Sequence, residues 1–171
     1  MPSDARKIIF LDRDGVINRE RGEFTFKLED FIINDGLFEA LEILKNHGFE
    51  FVVVSNQSGI ARSLYTLEDV EFLHHHLIRK ARSKGIGFLE IYYCPHHPDK
   101  SRCICRKPDS LLIEKAIARF NADPARSFFI GDADRDMEAA RKAGIKGIKI
   151  APNTSLLSLI HNLVDHGSQH F

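Results

Sequence analysis

No stretch of the chain approaches the roughly 18 consecutive apolar residues of a membrane span, so no membrane partner is expected. The opening residues, Met1-Pro2-Ser3-Asp4-Ala5-Arg6-Lys7, also lack the apolar stretch of a secretory signal, and a cytoplasmic location is the expectation. An excess of one charge is missing too. Lys+Arg and Asp+Glu number 24 each, for a net charge of zero at pH 7, which argues against a nucleic-acid partner gripped by bulk charge. Internal repeats and low-complexity segments are absent, and 171 residues read as one domain, 1–171, able to build its core without a staple. Cysteine is scarce but not scattered: all 3 lie between residues 94 and 105.

The composition, 43% apolar and 28% charged, is that of a soluble globular chain. Short apolar runs bounded by turn residues predict strands at 7–11, 49–54, 88–93, 127–130 and 147–150. A continuous run such as Phe51-Val52-Val53-Val54 suits a strand buried on both faces. Between the strands, Leu37, Leu41 and Leu44 share a helical face. So do Leu67, Val70, Leu73, Leu77 and Ala81, then Leu112, Ala116 and Phe120, then Ala139, Ala140 and Ala143. A last helix is predicted over 155–164. His74, His75 and His76 point about 100° apart and read as a solvated face. The alternation predicts an α/β, Rossmann-like, doubly wound and mostly parallel sheet, with ligands at the carboxyl ends of its strands. No obvious interface stripe stands out, so a monomer is expected.

The strand ends carry chemistry that a core does not need. Asp12-Arg13-Asp14-Gly15 follows the first strand, Ser55-Asn56-Gln57-Ser58-Gly59 ends the second, and Gly131-Asp132 ends the fourth, with Asp134 and Asp136 just beyond. Acidic residues often fill turns or cap helices. Three of them at adjacent strand ends instead form a donor set for a hard cation such as Mg²⁺. Asp136 reads equally well as a partner of Lys107, a group near the metal's waters, or a residue favouring a helix N-terminus.

Phe10-Leu11-Asp12-Arg13-Asp14-Gly15, Val54-Ser55-Asn56, Lys107 and Gly131-Asp132 with Asp136 resemble the four motifs of the haloacid dehalogenase (HAD) superfamily. Asp-Arg-Asp-Gly-Val-Ile-Asn, Asn-Gln-Ser-Gly-Ile-Ala-Arg, Tyr-Tyr-Cys-Pro-His-His-Pro and Cys-Arg-Lys-Pro narrow the likeness. They resemble the subgroup of D-glycero-D-manno-heptose-1,7-bisphosphate 7-phosphatases and histidinol-phosphate phosphatases. The resemblance spans about residues 8–151. It implies a HAD-like core, here without room for a separate cap domain, and an Mg²⁺-dependent phosphatase acting on a small phosphorylated sugar. The heptose bisphosphate is favoured; histidinol phosphate or a broader range is the alternative. Arg19-Glu20-Arg21-Gly22-Glu23 and Ala133 depart from the usual heptose-enzyme pattern, which leaves the sugar open.

The resemblance also implies roles. Asp12 is the nucleophile that forms an aspartyl-phosphate, and Asp14 is the general acid and then base. Ser55 and Lys107 hold the transferring phosphoryl group, Asn56 contacts the substrate, and Arg106 is expected to meet a second anionic group or the substrate body. Mg²⁺ takes the Asp12 carboxylate, the Asp14 backbone carbonyl and the Asp132 carboxylate.

Cys94, His96, Cys103 and Cys105 make a Cys₃His set that suits tetrahedral zinc, in a loop over 94–105 rich in exposed residue types. His97 is the other candidate imidazole; the resemblance favours His96. With four protein ligands the ion is structural, and it fixes Arg106 and Lys107 next door. Two other classes use parts of this pattern. A signalling receiver domain carries its acceptor after the third strand, where this chain has Cys94, and a zinc-knuckle nucleic-acid module does not fit zero net charge.

Overall fold

The computed structural model describes residues 4–168. The strands are β1 (Lys7–Leu11), β2 (Phe49–Asn56), β3 (Phe88–Cys94), β4 (Phe128–Gly131) and β5 (Lys146–Lys149). All pair in parallel, in the order β3-β2-β1-β4-β5. The helices are α1 (Leu37–Asn46), α2 (Leu67–Ser83), α3 (Leu111–Phe120), α4 (Asp134–Lys142) and α5 (Ile160–Ser168).

The apolar strands are explained by burial on both faces. Along β1, side chains alternate: Ile9 and Leu11 join one core with Phe51 and Val53, under α1 and α2, while Ile8 and Phe10 join a second with Val52 and Val54, under α3 and α4. Each such side chain, fully buried, contributes roughly 1.5–3 kcal/mol. The α/β doubly wound expectation stands, with strand ends shifted by one or two residues.

Local chemistry sets the helix limits. Thr66 and Asp69 form a capping box at the start of α2: the Asp69 N–H donates to Thr66 Oγ1 at 3.1 Å, and the Thr66 N–H donates to Asp69 Oδ2 at 2.8 Å. Gly48 stops α1 with φ +83°, a left-handed conformation that costs glycine little. Two details depart from the sequence pattern. Leu67, the first residue of α2, is 47% exposed, whereas His74 is only 3% exposed. His74 lies four residues after Val70 and three before Leu77, so the helical repeat turns it inward with the apolar stripe. The last helix begins as a 3₁₀ turn at Leu156–Leu159 and continues as α5.

Strand order places the site. From β1 the chain winds outward to β2 and β3 on one side, then crosses back to β4 and β5 on the other. The crevice between the carboxyl ends of β1 and β4 is therefore the switch point where such sheets bind ligands. The β1–α1 connection (12–36) holds one 3₁₀ turn, Leu28–Asp30, and the β2–α2 connection (57–66) holds no helix or strand. Neither carries a cap domain. Among the described residues, no helix is long and apolar enough to cross a membrane.

Candidate active site and metal centres

Asp12 leaves β1 with its backbone N–H donating to the Ile130 carbonyl of β4 at 3.0 Å, so the sheet itself fixes the first carboxylate. Lys107 Nζ donates to Asp12 Oδ1 at 2.9 Å and to the Val54 carbonyl at 2.8 Å, and lies 2.7 Å from Asp136 Oδ1. Lys107 is 1% exposed and Asp136 fully buried. The ammonium thus bridges two acids from distant parts of the chain. Burial pushes the Asp12 pKa up to about 7, with Lys107 pulling down and Asp136 and Asp14 pushing up. Burial works against the Lys107 charge, but Asp12 and Asp136 outweigh it and raise its pKa. Asp136, which the sequence left undecided, also accepts the Ala133 N–H at 3.1 Å at the start of α4.

Asp14 faces a different set of groups. Arg13 Nη2 donates to its Oδ1 at 3.1 Å, Asn18 Nδ2 to the same oxygen at 2.9 Å, and Gln57 Nε2 to Oδ2 at 3.1 Å. Burial raises this carboxyl, but the Arg13 charge and these hydrogen bonds outweigh it and hold the pKa below the usual carboxylate value. Arg13 is wholly buried and also donates to the Thr25 carbonyl at 2.8 Å. Gln57 further donates to Ser55 Oγ at 2.8 Å and accepts from the Tyr65 hydroxyl at 2.9 Å. No motif in the sequence assigns a role to Arg13 or Gln57. Their signal was position alone: a cation between two acids, and an amide directly after a strand.

A cavity of about 210 Å³ opens above these groups, lined by Asp12, Asp14, Asn56, Gln57, Ser58, Arg106, Lys107 and Arg135 on its floor and flank. Glu20, Glu23, Phe24 and Thr25 of the β1–α1 connection also line it. Ser55 sits just below at 1% exposure; since its Oγ accepts from Gln57, its own hydroxyl proton is left to donate. Asn56 faces the cavity, but its amide is spent on Lys107: Nδ2 donates to the Lys107 carbonyl and Oδ1 accepts the Lys107 N–H, each at 3.0 Å.

The donor sets fit two kinds of ion. Carboxylate oxygens of Asp12, Asp132 and Asp136 lie within 4.8 Å of one another. Lys107 offsets one charge there, and burial and the Asp136 charge make Asp132 harder to ionise, a penalty that a hard cation would relieve. A Cβ on Gly15 would run into the Asp132 carboxylate, so the glycine permits this close approach. The Asp14 carboxylate is turned toward Arg13, Asn18 and Gln57, and only its backbone remains for a metal. In the other cluster, the ligand atoms of Cys94, His96, Cys103 and Cys105 lie within 4.8 Å of one another. Cys94 Sγ is 3.7 Å from Cys103 Sγ, 3.2 Å from Cys105 Sγ and 3.5 Å from His96 Nδ1. Zn–S bonds near 2.3 Å give tetrahedral edges of about 3.8 Å, so the set suits zinc. His97 points elsewhere, with Nε2 2.7 Å from Arg62 Nη2.

Residues 104–156 match the family described as HAD-hydrolase-like. A D-glycero-D-manno-heptose-1,7-bisphosphate 7-phosphatase from Chlorobaculum tepidum is 39% identical over 158 residues, covering 86% of this chain and 79% of the relative. The chain belongs to the heptose-bisphosphate phosphatase family of HAD hydrolases. A D-glycero-beta-D-manno-heptose-1,7-bisphosphate 7-phosphatase from Helicobacter pylori is 44% identical over 142 residues, covering 82% of this HAD phosphatase and 80% of its own length. The crystal structure of D,D-heptose 1,7-bisphosphate phosphatase from B. bronchiseptica, complexed with magnesium and phosphate, superposes with a TM-score of 0.80. It is 31% identical and covers 91% of this chain and 86% of its own. HAD phosphatases hydrolyse phosphate monoesters and use Mg²⁺, and this chain is such a hydrolase.

Proposed function

We propose that this phosphatase removes the 7-phosphate from D-glycero-D-manno-heptose 1,7-bisphosphate through an aspartyl-phosphate on Asp12. The observation that carries the reading is the Asp12 carboxylate at the switch point, braced by Lys107 and turned to the cavity. Both hydrogen bonds to it, from Lys107 Nζ and from the Arg13 N–H, fall on Oδ1, which leaves Oδ2 to attack. The relatives' names supply the sugar.

In the first step the bond from Asp12 Oδ2 to phosphorus forms and the ester bond to the sugar oxygen breaks, while Asp14, having first taken up a proton from solvent against the pull of Arg13, Asn18 and Gln57, gives that oxygen the proton. In the second, Asp14 takes a proton from water as the water oxygen bonds to phosphorus and Asp12 is released. Lys107 and the Ser55 hydroxyl hold phosphoryl oxygens, and Asn56 fixes the Lys107 backbone. Mg²⁺, held by Asp12, Asp132 and the Asp14 carbonyl, supplies the positive charge that lets an anion meet a dianionic phosphate. Cys94, His96, Cys103 and Cys105 would hold zinc, which would tie down the segment that carries Arg106 and Lys107. The reading takes the chain as one catalytic domain, working as a monomer in the cytoplasm.

The test is a panel of phosphate esters with Mg²⁺: both heptose bisphosphate anomers, histidinol phosphate and simple monoesters. The heptose bisphosphate is expected to have the highest kcat/KM, and histidinol phosphate above it would overturn the substrate. Asp12→Asn is expected to lower kcat by about a thousandfold or more with the fold intact. Near-normal turnover would remove Asp12 as the nucleophile.

A further inference from the structure

The cavity lining carries charges of both signs. The β1–α1 connection contributes Glu20 and Glu23 to its lining, while the end of the cysteine loop and the start of α4 contribute Arg106, Lys107 and Arg135. Lys107 is consumed by Asp12 and Asp136. Arg106 and Arg135 have no carboxylate partner among the described residues, and Arg106 makes one long contact, Nη1 to the His96 carbonyl at 3.4 Å.

Arg135 is the more telling of the two. It stands in the first turn of α4, where a cation opposes the helix dipole. Acids surround it in sequence, yet each is claimed by another cation. Asp134 is 2.6 Å from Lys149, Asp136 is 2.7 Å from Lys107, and Glu138 is 2.8 Å from Arg141. Its guanidinium acts on the Asp132 carboxyl through charge, as Glu20 does with the opposite sign, but makes no ion pair with it. A side chain kept from its own neighbours and lining the cavity is placed to meet an incoming anion.

We infer that Arg135, with Arg106, forms a subsite for a second anionic group of the substrate, and that Glu20 and Glu23 turn that group away from the β1–α1 connection. Arg135 is then a specificity-determining residue. This rests on the phosphatase reading and adds to it the direction in which a bisphosphate lies: scissile phosphate over Asp12, distal phosphate toward the start of α4 and the end of the zinc loop. Arginine suits this because its planar fork donates two parallel hydrogen bonds to a phosphate.

The experiment compares matched pairs that differ only in the second phosphate: heptose 1,7-bisphosphate against heptose 7-phosphate, and glucose 1,6-bisphosphate against glucose 6-phosphate. The readout is the bis-to-mono ratio of kcat/KM, on whichever pair the wild type turns over faster. Metal and scissile phosphate are common to a pair, so any effect of Arg135 on Asp132 cancels. Arg135→Ala is expected to lower the ratio about tenfold or more, Arg135→Glu further, and Arg135→Lys less. Arg106→Ala is expected to lower it as well, and Glu23→Gln to raise it a few-fold. An unchanged ratio in Arg135→Ala, or a wild type with no preference for the bisphosphate, overturns the subsite. An unchanged or lowered ratio in Glu23→Gln overturns the excluding wall. If only the hexose pair is turned over and Arg135→Ala lowers its ratio, the heptose reading fails and the subsite stands. If heptose bisphosphate is favoured and the ratio does not move, the reverse holds. No turnover of either pair overturns both.

Discussion

The carboxylate cluster between β1 and β4 and the thiol cluster after β3 are built on opposite terms. In the first, the protein supplies its own counter-charge: Lys107 sits between Asp12 and Asp136, and the backbone of β2 takes its third proton. The geometry is in place from side chains alone. In the second, only weak thiol and imidazole contacts join the sulfurs. Burial pushes the Cys94 and Cys105 thiols up, away from the thiolates a metal binds, while hydrogen bonds outweigh burial and bring Cys103 down, and among the described residues no cationic side chain bridges them. The first site is organised by a lysine and the second needs an ion. Removing the organiser should therefore act globally in one place and locally in the other.

The largest effect is expected at Lys107. Lys107→Met leaves Asp12 and Asp136 buried without their shared cation. Breaking a buried pair on one side costs about 3–5 kcal/mol, and the phosphoryl group loses its fixed positive charge as well. Urea unfolding should show a drop of that size, and kcat should fall below a thousandth of the wild type. A variant of near-normal stability would mean that the two acids share a proton and that the ammonium is not their organiser.

Zinc is the matching test for the thiols. Stripping all metal and restoring only Mg²⁺ should leave the sheet folded but lower activity roughly tenfold, because the zinc set ends at Cys105 and Arg106 and Lys107 follow at once. Adding zinc should restore it, with one zinc per chain by metal analysis. Full activity with Mg²⁺ alone would show that the Asn56 clamp on Lys107 suffices to place it.

The difference between the clusters also explains what could be read from sequence. The thiols were legible because their ligands fall within twelve consecutive residues, so spacing alone encodes the site. The doubly wound sheet was legible because the apolar runs of β1 and β2 are buried on both faces. The carboxylate site was half legible. Asp12, Asp14 and Asp132 each follow a strand, but the bridge from Lys107 to Asp136 joins residues 29 apart through a loop and a helix start, which no local pattern reports. Gln57 and Arg135 escaped for the same reason: their partners, or lack of them, are set by the fold. His74 was misread because three adjacent histidines look alike until the helix turns one of them inward.

His74 gives the smallest expected effect and the finest probe of the buried charge behind the site. Its ring packs edge-on to Tyr93 at 5.3 Å, its Nε2 is buried without a partner, and the Arg13 charge acts on it. Burial first, then Arg13, hold its pKa at about 3; Asp14 pulls weakly the other way and His75 adds a little. The unfolded chain titrates near 6.5, so acid protonates histidine in the unfolded state before the folded one. Stability is then independent of this group above about pH 6.5 and falls as pH drops toward 3, by up to about 1.4 kcal/mol per pH unit. Between pH 7.5 and 5 the wild type should lose about 2 kcal/mol more than His74→Gln, measured by denaturant unfolding at both pH values. The difference between the two proteins cancels carboxylates that titrate in both. Equal losses would mean that the imidazole is protonated in the fold despite Arg13, and hence that the charge around Asp14 is more negative than its three donors allow.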